Sequence, residues 1–171
     1  MDNSLPPHIE TYFQDKENNF VFVSKLNREK EVDENIRMAC FLAEKTNENV
    51  FILPHIQPTQ KDSHKLRNEY FPKGVKQNKN PDFYYRKRFV DGKCMTVGDL
   101  KSEKLTKRSI QKKLKYGFEQ ADDVLLEIPE TYPSRWIKDA IKGSLNSSSH
   151  YHIVYIKYGN ELLFFESDAM I

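Results

Sequence analysis

Cysteine is scarce in this sequence: Cys40 and Cys94 stand alone in 171 residues, without CxxC spacing. Two isolated thiols make neither a disulfide framework nor a zinc knuckle, and they suit a reducing compartment. Long apolar runs are missing as well. No stretch approaches the ~18 residues needed to cross a bilayer, and the opening MDNSLPPHIE lacks the basic-then-apolar layout of a secretory signal. The expectation is a soluble chain acting in the cytoplasm, with no membrane partner. An excess of one charge is also lacking: 27 Lys and Arg against 25 Asp and Glu leave a net charge of +2. Any nucleic-acid footprint therefore has to arise from local clusters.

What is present is a chain long enough for one well-buried core and short for two full domains. Residues 20–26 (FVFVSKL) read as a short strand or extended arm. From Asp33 onward, Ile36, Ala39, Cys40 and Ala43 recur at three- and four-residue steps, the period of an amphipathic helix that ends near Asn47. Asp33 can cap this helix, which puts Glu34 in the first turn, where free N–H groups favour a carboxylate. VFILP then forms a compact strand stopped by Pro54. The polar stretch 55–80 reads as a long excursion with a weak helical segment over 62–70. PDFYYRKR and FVDGKCM follow as adjacent strands. Residues 101–108 (KSEKLTKR) read as a charged connection, after which Ile110, Leu114, Gly117, Phe118 and Ala121 mark a second helix ended by Asp122 and Asp123. A strand (VLLEI), a third helix over 133–141, a polar linker over 144–149 and a hairpin turning at Gly159-Asn160 complete the order.

Chemistry concentrates on the two adjacent strands. Period-two geometry sends Asp91 and Lys93 to one face and Gly92 to the other, with Val90, Gly92 and Cys94 inward and the charged pair outward. Asp82, from Pro81-Asp82, and Asp91 can together hold a hard divalent cation such as Mg²⁺. Lys93 can orient the attacking water and counter phosphate charge while the metal polarises the phosphoryl oxygen. Glu34 can reach the same region if its helix packs across the sheet, and Gln120 is a candidate to hydrogen-bond a site carboxylate or a substrate phosphate.

These residues resemble the PD-(D/E)xK nuclease superfamily: Glu34 matches its acidic helix residue, Asp82 the PD aspartate, Asp91-Gly92-Lys93 the D/E-x-K pair, and Gln120 a glutamine of the second helix. More narrowly, ENIRMACFLAEKTNENVFILP, NPDF, VDGK, KRSI and FEQADDVLLEI resemble the tRNA-cleaving C-terminal toxin domains of contact-dependent inhibition and polymorphic toxin systems. The resemblance covers about residues 31–130. It implies an α/β (α+β) fold with an αβββαβ restriction-endonuclease-like core, a mixed sheet flanked by helices. Residues 1–30 are then an N-terminal arm, 31–130 the core, and 131–171 a C-terminal helix and hairpin on the same domain. It also implies a metal-dependent endonuclease with Glu34, Asp82 and Asp91 around Mg²⁺, acting on RNA ahead of DNA with tRNA the candidate RNA substrate, and a neutralising immunity protein as partner.

Arg86, Lys87 and Arg88, interleaved with Tyr84, Tyr85 and Phe89, can track a nucleic-acid backbone and stack bases; Lys107 and Arg108 belong to a second basic stretch with Lys104, Lys112, Lys113 and Lys115. The bland counterparts are a charged hairpin tip, a solvated helix face and, for Asp82, Asp91 and Lys93, a surface ion-pair cluster of little energetic weight. His150 and His152 lack partners at zinc-ligand spacing. Two other functional classes stay open: a metal-independent ribonuclease using Lys93 with a histidine or tyrosine, and a non-catalytic module that binds nucleic acid or protein.

Overall fold

Val21, Val23, Val50 and Ile52 are β-branched, and such side chains favour a pleated, packed strand. They lie in β2 (Val21–Ser24) and β3 (Val50–Ile52), which pair in parallel. A parallel pair needs a crossover, supplied here by α1 (Asp33–Thr46), which packs against both strands. The computed structural model describes residues 5–27, 33–71 and 79–168 of the chain. It divides into two units, Met1–Val90 and Asp91–Ile171.

In the first unit the strand order is β1-β2-β3-β4-β5. The edge strand β1 (Tyr12–Gln14) runs antiparallel to β2, so the expected N-terminal arm contributes strands. β4 (Phe83–Tyr85) runs antiparallel both to β3 and to the first residues of β5 (Arg88–Cys94). One face is aromatic: Phe22 stacks on Phe51 at 5.1 Å, and Tyr12 and Tyr84 meet Phe51 edge-on at 5.9 and 6.4 Å. The opposite face carries Val21, Val23, Val50, Ile52 and Phe83, none more than 2 % exposed. The helical segment expected in the excursion is α2 (Ser63–Tyr70), tied back by Tyr70 Oη donating to Thr11 Oγ1 and by Arg67 donating to Asn80 Oδ1. Residues 72–78 of that excursion lie outside the described residues.

In the second unit the order is β5-β6-β7-β8. α3 (Glu103–Gln120) leads into β6 (Asp123–Ile128), and α4 (Ser134–Ser147) is the crossover to the parallel β7 (Ile153–Tyr158). Ile110 and Leu114 from α3, Ile137, Ala140 and Ile141 from α4, and Val124, Leu126, Val154 and Ile156 from the strands form one core, all fully buried. β8 (Glu161–Glu166) returns antiparallel through the expected turn. Gly159 takes φ +56° there, and a Cβ would stand 1.7 Å from Glu130 Oε1, so glycine is required.

The mixed sheet flanked by helices bears out the α/β (α+β) reading, and α1, β3, β4, β5, α3 and β6 follow in the expected order with α2 interposed. Three local expectations need correction. The charged connection over 101–108 is mostly the start of α3: Ser102 caps it by accepting from Leu105 N, and the Thr106 hydroxyl turns in to accept the Lys101 amide at 2.9 Å. The third helix continues to Ser147 through part of the expected linker. Asp123 does not end a helix but begins β6, fully buried, with Oδ1 accepting the Ile153 amide at 2.8 Å. Among the described residues no helix is long and apolar enough to cross a membrane.

Candidate active site

Asp82 precedes β4 and is bound on both sides by backbone. Its amide donates to Val90 O at 3.1 Å, and its carbonyl accepts from Leu53 N at 2.9 Å. The side chain is half-buried and receives a third bond, from Asn35 Nδ2 of α1 to Oδ1 at 3.2 Å. Asn35 follows Glu34 in the first turn of α1, where Glu34 is exposed. The helix start thus reaches the PD aspartate through Asn35, a residue that sequence reading did not single out. The only available signal was its place beside Glu34. The position that would cap α1 lies outside the described residues.

In the second unit, Asp91 and Lys93 share one face of β5, as period two requires, and the Lys93 ammonium is ion-paired with Asp91 Oδ2. The expectation that both point outward is corrected for Asp91, which is 2 % exposed. The physical reason is α3. A Cβ on Gly117 would lie 2.4 Å from Val124 Cγ2 and 3.4 Å from Asp91 Oδ2, so glycine lets the helix press onto β6 and cover the aspartate. A carboxylate removed from water is costly unless paired, and Lys93, at 24 % side-chain exposure, supplies the opposite charge. Gln120 ends α3, half-buried and three residues beyond Gly117, and therefore on the same side of the helix.

The basic residues divide by their partners. Arg86 and Lys87 form the two-residue tip of the β4–β5 hairpin, both with positive φ, 49° and 64°. Two such residues are the pattern of a type I′ turn, normally filled by Asn and Gly. Arg86 lies over the Tyr85 ring at 5.2 Å and donates from Nε to Glu48 Oε2 at 2.7 Å; the Tyr85 hydroxyl donates to the same carboxylate. Burial pulls the Glu48 carboxyl up, but the bonds from Tyr85 and Arg86 outweigh it and hold it below the usual carboxylate range. Burial, then the bond to Glu48, pushes Tyr85 up to about 12. Lys87 is exposed and Arg88 half-buried. On α3, Lys107 is engaged by Glu103 at 2.6 Å and by Asp139 of α4 at 3.0 Å, whereas Arg108 is exposed.

His150 and His152 precede β7 rather than lying on it. His152 is buried and stacks on Phe118 at 3.9 Å, while His150 is exposed. Cys40 and Cys94 are half-buried and not joined in a disulfide. Among the described residues, no three or more His, Cys, Asp and Glu side chains gather into a group that could hold a metal ion. Comparison with known family models, with curated proteins and with solved structures finds no match for this chain.

Proposed function

We propose that this chain is a metal-dependent nuclease that hydrolyses phosphodiester bonds in nucleic acid, with RNA preferred to DNA and tRNA the candidate RNA substrate. The observation that carries the reading is Asp91, 2 % exposed on a strand and ion-paired with Lys93 two residues on. A surface ion-pair cluster would leave the aspartate in water, where pairing adds little stability. An aspartate kept under a helix at the cost of desolvation, with a half-exposed lysine beside it, has instead the environment of a functional acid.

Asp82 is the second acid of the proposed site. Val90, the residue before Asp91, pairs with Phe83, the residue after Asp82. Asp82 and Asp91 would hold a divalent cation such as Mg²⁺, with Glu34 tuning its water shell from the start of α1. The donor set is all oxygen, and Mg²⁺ takes one or two carboxylates and keeps several waters, so these residues fit it. When bound, such an ion would polarise the phosphoryl oxygen. Lys93 orients the attacking water and meets charge developing on the phosphate. Gln120 supports the carboxylate from the end of α3, and Arg86, Lys87, Arg88 and Arg108 contact phosphates, with Lys107 the weakest contributor because Glu103 and Asp139 already engage it. The preference for RNA and a neutralising immunity protein as partner rest on the toxin-domain resemblance alone, whereas the cytoplasm as the place of action rests also on the two isolated thiols.

The test is cleavage of purified tRNA, total RNA and single- and double-stranded DNA by the wild type and by Asp91→Asn, each with Mg²⁺ and with a chelator. The reading expects RNA cutting that needs metal and falls at least 100-fold in the variant. Chelator-resistant cutting would replace it with a metal-independent ribonuclease. No cutting of any substrate by folded wild type would leave a binding module.

A further inference from the structure

Within residues 91–171, and apart from the Asp91–Lys93 pair, the C-terminal halves of α3 and α4 and the segment before β7 enclose a cleft of about 710 Å³. That is the size of small-molecule sites, which are typically about 300–1,000 Å³. We propose that this cleft binds a nucleotide, with its base against the Phe118–His152 ring pair and its phosphate at Lys112 and Lys115. The inference does not depend on the nuclease reading.

The ring pair is rigid. Phe118 and His152 are nearly parallel, at 13° and 3.9 Å. His152 is held by a hydrogen bond between Nδ1 and Asp122 O at 2.5 Å and by its amide donating to Ser167 Oγ at 3.0 Å. A carbonyl oxygen only accepts, so Nδ1 donates to Asp122 O and the ring orientation is set. A fixed aromatic wall is a stacking platform for any base, whatever its sequence.

The rest of the lining suits the edge of a heterocycle. Gln111 and Ser144 contribute an amide and a hydroxyl, groups that both donate and accept, and Ser147, whose hydroxyl donates to Ser144 O at 3.0 Å, contributes an acceptor oxygen. The charged lining is Lys112 and Lys115 against Glu119, two cations and one anion. Both helices end near the cleft, and their C-terminal carbonyls oppose an anion, so the phosphate belongs at Lys112 and Lys115, one to two turns before the end of α3. Lys112, which lies over Tyr116 at 5.7 Å, and Lys115 are both exposed, placing positive charge at the mouth. A purely structural lysine pair would account for the charge but not for the stacked rings and neutral hydrogen-bonding groups in the same cleft.

The experiment is titration of the ¹⁵N-labelled full chain with adenosine, guanosine, cytidine and uridine 5′-monophosphates, inorganic phosphate and a short single-stranded oligoribonucleotide. Four proteins are compared: wild type, Lys112→Ala/Lys115→Ala, Gly143→Leu and Asp91→Asn. Gly143 lines the cleft and is exposed, and a Cβ there would meet the flexible end of Gln111 at 2.8 Å, so Leu adds bulk to the cleft. The expected result is saturable shifts of the Phe118, Ser144 and Ser147 amides with at least one mononucleotide. Affinity should fall at least tenfold in the double variant, vanish in Gly143→Leu and persist in Asp91→Asn, which separates this inference from the catalytic one. Tighter binding of the oligoribonucleotide than of any monophosphate supports the inference with an RNA strand as the source, and equal or weaker binding supports it with a free nucleotide. The inference is overturned if no mononucleotide shifts these amides, if phosphate alone binds as tightly, or if both lysines can be removed without loss.

Discussion

Gly117 joins fold and chemistry in one residue. A side chain there would collide with Val124 Cγ2 and crowd Asp91 Oδ2, and overpacking of this kind costs about 1–3 kcal/mol. Gly117→Ala should therefore lower stability by about that amount in a denaturant titration, even though alanine favours a helix interior by ~1 kcal/mol. An unchanged or raised midpoint would show that α3 does not press on β6 as described. Glu48 makes a second prediction. Its folded pKa lies below the ordinary 4.5, so the stability it contributes is complete above that value and is lost as pH falls through the lower folded one. Below pH 4.5, Glu48→Gln should lose stability less steeply than the wild type; parallel acid limbs would refute the role. Tyr85 acts in the other direction: its pKa is raised from 10 to about 12, and its contribution is present below pH 10 and lost as pH rises towards 12. At this scale the sequence exposed the residue types and their period but not their depth. That Asp91 and Lys93 share a face follows from alternation, whereas the burial of Asp91 depends on a glycine 26 positions later in the chain, which no local pattern connects to it.

Among the elements, α1, β3, β4 and β5 were legible because their apolar spacing or β-branched and aromatic content has a single reading. The start of α3 was not, because KSEKLTKR shows no apolar stripe; its helix is set by the Ser102 cap and by Thr106, a polar residue that is fully buried. β1 was missed because three residues, only one of them buried, are too few to show a period. The β4–β5 turn holds Arg86 and Lys87 at positive φ, at ~1–2 kcal/mol for each L-residue. Replacing them with Asn and Gly removes that strain. It also gives up an exposed ion pair worth ~0.2–1 kcal/mol and a cation–π contact of ~0.5–1 kcal/mol. The double variant should be more stable by about 1 kcal/mol in thermal or denaturant unfolding. A loss of stability would mean that the Glu48, Tyr85 and Arg86 contacts outweigh the backbone strain.

For the molecule as a whole, a net charge of +2 leaves little long-range attraction for a polyanion, so binding has to depend on a few placed cations. If Arg86 and Lys87 contact phosphates, the Asn-Gly variant should weaken RNA binding and flatten the dependence of log affinity on log salt by about 1.4, since each of the two phosphate contacts on a single strand contributes about 0.7. An unchanged slope would move the nucleic-acid face elsewhere. The mixed α/β architecture was readable from the succession of elements. The nucleotide cleft was not, because Gln111, Phe118, Ser144 and His152 lie far apart in sequence and meet only when α3, α4 and the segment before β7 pack together.

The most direct test of the catalytic assignment is single-turnover cleavage of end-labelled tRNA by Lys93→Met, with Mg²⁺ and enzyme in excess and tRNA binding measured in parallel. Methionine is an unbranched apolar side chain of similar length and lacks the ammonium. The account predicts tRNA binding within about threefold of the wild type and cleavage reduced at least 100-fold; cleavage at the wild-type rate would remove Lys93, and with it the Asp91–Lys93 pair, from the chemistry.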